Sequence, residues 1–167
     1  MSMSEGMEKL ADKLQSLWSV ENQLVTAIPP MYAKATDFGL NKVLSYHFAE
    51  TLQHRTAVES ICKQLEINPQ GDVDEHLATI LSENELMLSD GDNINELIIL
   101  GALRVEQYEI SAYQSAADEA MRARLSTLAR RLLLTLEEEK QACNKLTFLL
   151  KTIRSNRPHE LELNMHV

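Results

Sequence analysis

Glutamate and histidine side chains interrupt the apolar stripes of four segments that have the pattern of long amphipathic helices. In each segment Leu, Ile, Val or Ala recurs at steps of three and four residues, which keeps these residues on one helix face. A carboxylate on that face would be buried, and a lone buried carboxylate normally takes up a proton or finds a partner. The side chains concerned are Glu21 in the first segment, Glu50 and His54 in the second, Glu106 and Glu109 in the third, and Glu139 in the fourth.

The spacing of these residues predicts that their carboxylates meet. Glu21 and Glu50 are separated by 29 residues, and Glu109 and Glu139 by 30. In two antiparallel helical pairs, such matched separations place carboxylate opposite carboxylate at the same depth. Several converging carboxylates need cations between them, and a carboxylate-rich set with little imidazole suits iron or manganese. We therefore predict a site for two metal ions, in which some carboxyls have raised pKa values when metal is absent.

Most of these residues also have a simpler interpretation. A single Glu on an apolar stripe is more often an ion-pair partner than a metal ligand. His54 follows Glu50 by four residues, a departure from the Glu-x-x-His spacing of di-iron bundles, so it is either a ligand or a hydrogen-bonded core histidine. His47 lies one turn before Glu50 and could bind a metal or support a ligand.

Two residues of the fourth segment are expected to lie outside the site. Glu138 points about 100° away from Glu139 on a helix, which favours the solvated face. Cys143 occupies the position that mirrors His54, but a thiolate is a poor partner for an oxygen-rich site, so packing is the expected role.

Composition and charge exclude several classes of protein. The chain has 167 residues and a formal net charge of −9, with no Lys or Arg cluster, which argues against a nucleic-acid surface. Its longest apolar runs are too short to span a bilayer, and its start has the pattern of a helix rather than a signal peptide. The two cysteines, Cys62 and Cys143, suit reduced thiols, so we expect a cytoplasmic protein. From the charge and the short apolar runs we expect no binding to nucleic acid or membranes.

The chain is predicted to form an all-α, antiparallel four-helix bundle. Long helices are expected over residues 5–36, 40–66, 94–121 and 126–154, with a short fifth helix at 74–87 in a long crossover. Gly39 is expected to follow the end of the first helix, and Asn93 with Glu96 to form a capping box. Residues 89–93 read as a loop, residues 1–155 as one domain, and residues 156–167 as a flexible tail. Two hairpins joined by a crossover are the ferritin-like topology.

Four stretches of the chain resemble the YciE/YciF family of bacterial ferritin-like stress proteins. They are SVENQL, HFAETLQH, VEQYEISAY and LEEEKQACNKL, within a similarity that covers about residues 10–150. The resemblance implies a ferritin-like bundle, a homodimer, and a metal site formed by Glu21, Glu50, His54, Glu106, Glu109 and Glu139. The chain departs from the family at Cys143, where relatives often have an acidic residue, and at Pro30.

Two functional classes follow from the sequence. Two carboxylate-bridged ions would support oxidase, ferroxidase or peroxide-detoxifying chemistry. The alternative is a non-catalytic structural bundle of the stress response, or a protein-interaction module, with a degraded or empty metal site. The low histidine count favours the alternative, since redox-active di-iron bundles usually have more nitrogen ligands. The sequence does not decide whether the protein is an enzyme, and names neither its metal nor its substrate.

Overall fold

Five α-helices make up the described part of the chain. The computed structural model describes residues 3–88 and 93–157, and these two ranges contain no β-strand. The helices are α1 (Met3–Lys34), α2 (Phe38–Gln64), α3 (Glu75–Leu88), α4 (Ile94–Arg122) and α5 (Ser126–Ser155). The predicted all-α fold is confirmed, and every helix boundary lies within two residues of its predicted position. Residues 89–92 of the predicted loop and 158–167 of the predicted tail lie outside the described residues.

The four long helices form a bundle, and the crossover helix lies on its side. Helix α1 packs along α2 and α4, while α5 packs along α4 and α2. The seam between α2 and α5 is the least extensive of these four. Helix α3 packs mainly on α4, where the side-chain amide of Asn84 donates a hydrogen bond to the carbonyl oxygen of Gly101 at 3.0 Å. A Cβ at position 101 would lie 3.0 Å from the Asn84 side chain, so the glycine permits this close approach.

The connection between α1 and α2 spans residues 35–37 and ends in a helix cap. The Asp37 carboxylate accepts a hydrogen bond from the backbone N–H of Leu40 at 2.8 Å, which satisfies one of the donors at the start of α2. Gly39 therefore lies in the first turn of α2. No glycine in the described ranges has a positive φ, so the prediction that Gly39 follows the end of α1 in a left-handed conformation is wrong.

The start of α4 also differs from the prediction. Asn93 occupies the cap position, but its side chain makes no capping hydrogen bond. Glu96 turns to the fourth long helix instead, where its Oε1 accepts a hydrogen bond from Nε of Arg154 at 2.6 Å. The predicted capping box is therefore wrong, because an arginine on α5 competes for the Glu96 carboxylate.

Left-handed residues end both α2 and α4. Glu66 has a φ of 56° and Arg124 a φ of 62°. After α4, the N–H of Leu125 donates to the carbonyl of Ala120 at 2.9 Å, and the N–H of Arg124 donates to that of Met121 at 3.0 Å. This is the Schellman arrangement, which satisfies the last carbonyls of a helix and turns the chain into α5.

The bundle core has a polar layer between two apolar ones. One apolar cluster includes Leu14, Ile61 and Leu132, and the other includes Leu44, Ile99 and Leu146. Along α2, α4 and α5 the chain passes from one cluster to the other through buried Glu, His or Thr residues. The fold thus places the polar side chains midway along the bundle, where the apolar layers shield them from water.

Candidate metal centre

Four carboxyls and two imidazoles form the polar layer, and every bundle helix contributes to it. All six side chains are buried, the most exposed being His47 at 8%. They are Glu21 on α1, His47 and His54 on α2, Glu106 and Glu109 on α4, and Glu139 on α5. Of the six residues predicted as ligands, five therefore lie in this layer. Their role as metal ligands stays a prediction.

The ligand atoms of the layer fall into two groups that share one residue. The first group is His47, Glu106, Glu109 and Glu139, and the second is Glu21, His54 and Glu139. Within each group, one nitrogen or oxygen atom from every residue lies within 4.8 Å of the others. Each group could hold a metal ion, and Glu139 is common to both.

Each histidine directs one ring nitrogen into the layer. Nε2 of His47 lies 2.8 Å from Oε1 of Glu106. Nδ1 of His54 lies 2.8 Å from Oε1 of Glu139 and 3.6 Å from Oε1 of Glu21. The His54 nitrogen and the Glu139 oxygen are nevertheless not aligned as a hydrogen bond, since neither atom has a partner of acceptable geometry among the described residues.

Glu50 lies at the edge of the layer and not in it. Its side chain is 15% exposed, and its Oε2 is 3.9 Å from Nδ1 of His47. Glu50 belongs to neither group of candidate ligands. His47 is the α2 residue of the first group, where the sequence predicted Glu50. The signal that could have identified His47 was its seven-residue spacing from His54, which places both imidazoles on one face of α2.

Two residues outside the predicted ligand set, Tyr113 and Glu138, contact the layer. The hydroxyl of Tyr113 donates a hydrogen bond to Oε1 of Glu21 at 2.6 Å, and Tyr113 is fully buried. Oε2 of Glu138 lies 2.7 Å from Nε2 of His54, although the Glu138 side chain is 45% exposed. Glu138 is thus partly exposed, as expected for the solvated face, and its long side chain also reaches back to the histidine.

The layer contains most of the unpaired buried polar atoms. Eleven buried side-chain nitrogen or oxygen atoms in the described part of the chain lack a hydrogen-bond partner, and eight of them belong to the six residues of the layer. They include both oxygens of Glu109 and both of Glu139. Leaving a buried acceptor unpaired costs about 1–3 kcal/mol, so such a concentration needs an explanation. Cations that bind oxygen and nitrogen ligands, such as iron and manganese ions, fit this donor set.

Burial and mutual repulsion raise the pKa of three of the four carboxyls. Burial raises the pKa of Glu21, and it raises that of Glu106 to about 8 although His47 opposes the change. Burial and three neighbouring carboxylates act together on Glu109 and hold its pKa well above the ordinary value. The pKa of Glu139 is lowered, because contacts with His54 and Glu106 outweigh its burial. The prediction of raised carboxyl pKa values is confirmed for three residues, and Glu139 is the exception.

The two imidazoles are strong bases in this environment. Burial alone would lower the pKa of each, but the Glu106 carboxylate raises that of His47 well above its ordinary value. Glu139 and Glu21 raise the pKa of His54 to about 11. In the metal-free layer these shifts favour protonated imidazoles beside an ionised Glu139, and they favour the protonated forms of Glu106 and Glu109. Metal ions that bind here must displace those protons.

Two pockets reach the layer from solvent along the α2–α5 seam. One has a volume of about 220 Å³ and has His54, Tyr113 and Glu138 in its wall. The other, of about 210 Å³, has His47 and Glu50 in its wall. Each pocket thus meets one of the two candidate ligand groups at its histidine. Both are large enough for several water molecules, at about 30 Å³ each, or for a similarly small reactant.

The two cysteines form no disulfide with each other, in agreement with the prediction of reduced thiols. Cys62 packs in the apolar cluster with Leu14, whereas Cys143 is partly exposed. Burial, followed by the charge of Glu106, raises the pKa of the Cys143 thiol. Neither cysteine belongs to a candidate ligand group. None of the described helices is both long and apolar enough to cross a lipid bilayer.

The fold and the layer together define a ferritin-like helical bundle with a buried group of carboxylates and imidazoles that could hold metal. The chain belongs to the family described as a domain of unknown function (DUF892), which matches residues 6–157. A comparison with curated proteins found no match.

Solved structures with the same fold confirm the resemblance to the YciE/YciF family. YcfI from Rhodopseudomonas palustris is 27% identical, with a TM-score of 0.81 over 88% of this chain and 94% of that one. The E. coli stress protein YciF is 21% identical, with a TM-score of 0.86 over 91% and 98%. A protein from Xanthomonas campestris pv. campestris is 17% identical, with a TM-score of 0.74 over 90% and 94%.

Proposed function

We propose that this protein is a ferritin-like, stress-associated protein that binds two iron or manganese ions in its polar layer. The observation that carries the proposal is the position of Glu139. Its two oxygens are buried without hydrogen-bond partners among the described residues, and it is common to both candidate ligand groups. A stress-associated role is supported by the fold that the chain shares with the E. coli stress protein YciF.

The two ions would have different ligands. His47, Glu106 and Glu109 would hold one ion, and Glu21 and His54 the other, with Glu139 between them. Carboxylate and imidazole donors suit iron and manganese, and the surrounding apolar layers would keep bulk water away. Two such ions side by side would supply electron transfer to oxygen or peroxide, hence oxidase, ferroxidase or peroxide-detoxifying activity.

The surrounding residues would control access and protons. A small neutral reactant could enter through the two pockets beside His54 and His47. Tyr113 would keep the Glu21 carboxyl in place through its hydrogen bond at 2.6 Å. The pKa values of Glu106 and Glu109 are raised in the metal-free protein, and binding of the ions would displace protons from these carboxyls.

Metal titration of the metal-free protein tests the proposal. We expect the wild type to bind two equivalents of iron(II) or manganese(II), with elemental analysis after desalting as the measurement. Glu139→Gln should abolish binding of both ions because it removes the shared ligand, whereas Glu21→Gln should affect mainly one. Glu119→Gln is the matched control, since Glu119 is a buried glutamate on α4 that pairs with Arg122 outside the layer. Absence of binding at micromolar metal would overturn the proposal.

A non-catalytic structural bundle is the second candidate, and one observation favours it. Charges in the layer compensate one another without metal, because both imidazoles have raised pKa values and lie against carboxylates. In that case the layer would be an ion-pair network that fixes the register of the helices. Oxygen or peroxide consumption by the metal-loaded protein, compared with Glu139→Gln, separates the candidates. Two bound ions without any turnover would favour the structural one.

The proposal includes a homodimer in the cytoplasm. Helices α2 and α5 expose large apolar side chains, including Phe38, Leu134 and Phe148, which a second copy could cover. Two thiols without a disulfide suit a reducing compartment. Sedimentation equilibrium tests the dimer, and a single monomeric mass at micromolar concentration would contradict it.

A further inference from the structure

One histidine of the layer is contacted by carboxylates through both of its ring nitrogens. Nδ1 of His54 faces Glu139 at 2.8 Å and Glu21 at 3.6 Å, inside the layer. Nε2 faces the other way and lies 2.7 Å from Oε2 of Glu138. The Glu138 carboxylate reaches solvent, whereas the histidine is almost completely buried. The two nitrogens of His54 therefore have distinct surroundings, one in the candidate ligand group and one outside it.

We propose that Glu138 is a positioning residue for the metal centre, which accepts a hydrogen bond from Nε2–H of His54 and so presents Nδ1 to the metal. The inference rests on the proposed function. A neutral imidazole has one ring proton, and an acceptor at Nε2 keeps the proton there and leaves the Nδ1 lone pair available. Carboxylates in this position also fix the orientation of a ligating ring and increase the basicity of its other nitrogen.

The local structure holds the ring in this orientation from several sides. Glu138 and Glu139 are consecutive on α5, so one helix contacts His54 from outside the layer and from inside it. The ring also packs edge to face on Tyr113, with centroids 6.3 Å apart and an angle of 66° between the planes. Tyr113 in turn binds Glu21, the other carboxyl near Nδ1.

The second histidine lacks a comparable support. Nδ1 of His47 is 3.9 Å from Oε2 of Glu50, beyond hydrogen-bond distance, and has no partner among the described residues. The two ligand groups therefore differ in how firmly their imidazoles are oriented. Loss of the Glu138 carboxylate should lower the metal affinity of the group that contains Glu21 and His54. The affinity of the other group should stay largely unchanged.

Cobalt(II) is a suitable probe, because it accepts the same ligands and shifts the NMR signals of ligating histidines far from the rest of the spectrum. Metal-free wild type and the variants Glu138→Ala and Glu138→Gln are titrated with cobalt(II). Glu137→Gln is the matched control, since it removes one charge from the adjacent, exposed position of α5. In Glu138→Ala we expect one of the two affinities to fall about 10–100-fold. Glu138→Gln should lose less, because its amide oxygen still accepts from Nε2–H.

The spectroscopic result separates positioning from a merely structural contact. In wild type, the Nε2–H proton of His54 should give a shifted, slowly exchanging signal, assigned by its absence in His54→Gln. The exchange should be faster in Glu138→Ala and unchanged in Glu137→Gln. Wild type that binds cobalt, with Glu138→Ala equal to Glu137→Gln in affinity and exchange, would overturn the inference alone. Wild type that binds no cobalt would overturn the proposed function as well. Where Glu138→Ala does not fold, Glu138→Leu, which has a similar volume but no acceptor for Nε2–H, decides by the same two measurements.

Discussion

Replacing Glu109 by leucine should stabilise the metal-free protein. Glu109 is fully buried, and neither of its oxygens has a hydrogen-bond partner among the described residues. Burial and the neighbouring carboxylates hold its pKa well above the ordinary value, which favours a neutral carboxyl here in the folded metal-free protein. Leucine has a similar volume and no polar atom to desolvate, so the substitution removes a cost without opening a cavity.

The size of the effect follows from the cost of an unpaired buried group. That cost is about 1–3 kcal/mol, and for a domain of this length each kcal/mol changes the Tm by about 2–4 °C. We therefore expect Glu109→Leu to increase the Tm by about 2–12 °C. Urea melts with a matched slope give the corresponding change in the free energy of unfolding.

Glu139→Leu, in the same layer, should instead destabilise the metal-free protein. Glu139 has a lowered pKa and lies 2.8 Å from the protonated His54 imidazole. Removing one partner of a buried ion pair costs about 3–5 kcal/mol, and the lower end applies because Glu138 and Glu21 remain near the ring. Both variants should also lose stabilisation by metal, which reaches about 2.7 kcal/mol when the free metal is 100 times the Kd.

Thermal melts of the two variants, with and without manganese(II), test this reasoning. Destabilisation of the metal-free protein by Glu109→Leu of more than about 1 kcal/mol would contradict a neutral, unpaired Glu109. That result would mean that Glu109 has a partner in the folded state and contributes to the scaffold. If Glu109→Leu and Glu139→Leu changed the stability of the metal-free protein in the same direction, this would likewise contradict the assignment of one neutral and one ionised carboxyl.

Three further predictions follow from the layer and from the helix ends. In the folded protein the pKa of Glu106 is raised from 4.5 to about 8, and that of His54 from 6.5 to about 11. Both groups therefore keep protons at pH values where the unfolded chain releases them. The free energy of unfolding of metal-free protein should therefore fall between pH 6.5 and 8, by about 1.4 kcal/mol per pH unit for each proton, and urea melts that show a rise would contradict this. Metal binding should release protons, so the apparent affinity should increase about tenfold per pH unit for each proton displaced, and calorimetry in two buffers of different ionisation enthalpy counts them. Arg124→Gly should stabilise the protein by about 0.5–1 kcal/mol because glycine adopts the φ of 62° without strain, whereas Arg122→Gly, inside α4, should cost about 1 kcal/mol in thermal melts.

The helices and the existence of the layer could be predicted because both depend on local periodicity. Apolar residues at steps of three and four define the buried face of each helix, and the 29- and 30-residue separations define the matched depth. Glu21, Glu109 and Glu139 are buried together as this reasoning requires. Each helix begins and ends within two residues of the position that the periodicity predicts.

The ligand groups themselves could not be predicted, because they depend on how each helix is rotated about its axis. His47 and Glu50 are three residues apart and differ by about 60° around α2, so a small rotation decides which one faces the layer. Side-chain length matters as well, since the position of Glu138 indicates the direction of its Cβ but not the reach of its carboxylate to His54. The turn at Arg124 had no sequence signal, because a left-handed cap is usually glycine or asparagine.

The two ligand groups are unequal, and this has a consequence for how the protein would fill with metal. One group offers three carboxylates and an imidazole, whereas the other offers two carboxylates and an imidazole. In a protein that binds two ions here, loading would be sequential, with the more anionic group filling first. Since Glu139 belongs to both groups, occupancy of either one changes the affinity of the other, by the same factor in both directions. The singly loaded protein would then be a distinct species with its own stability and its own preference for the second ion, so a centre of two different metals could be assembled by order of addition alone.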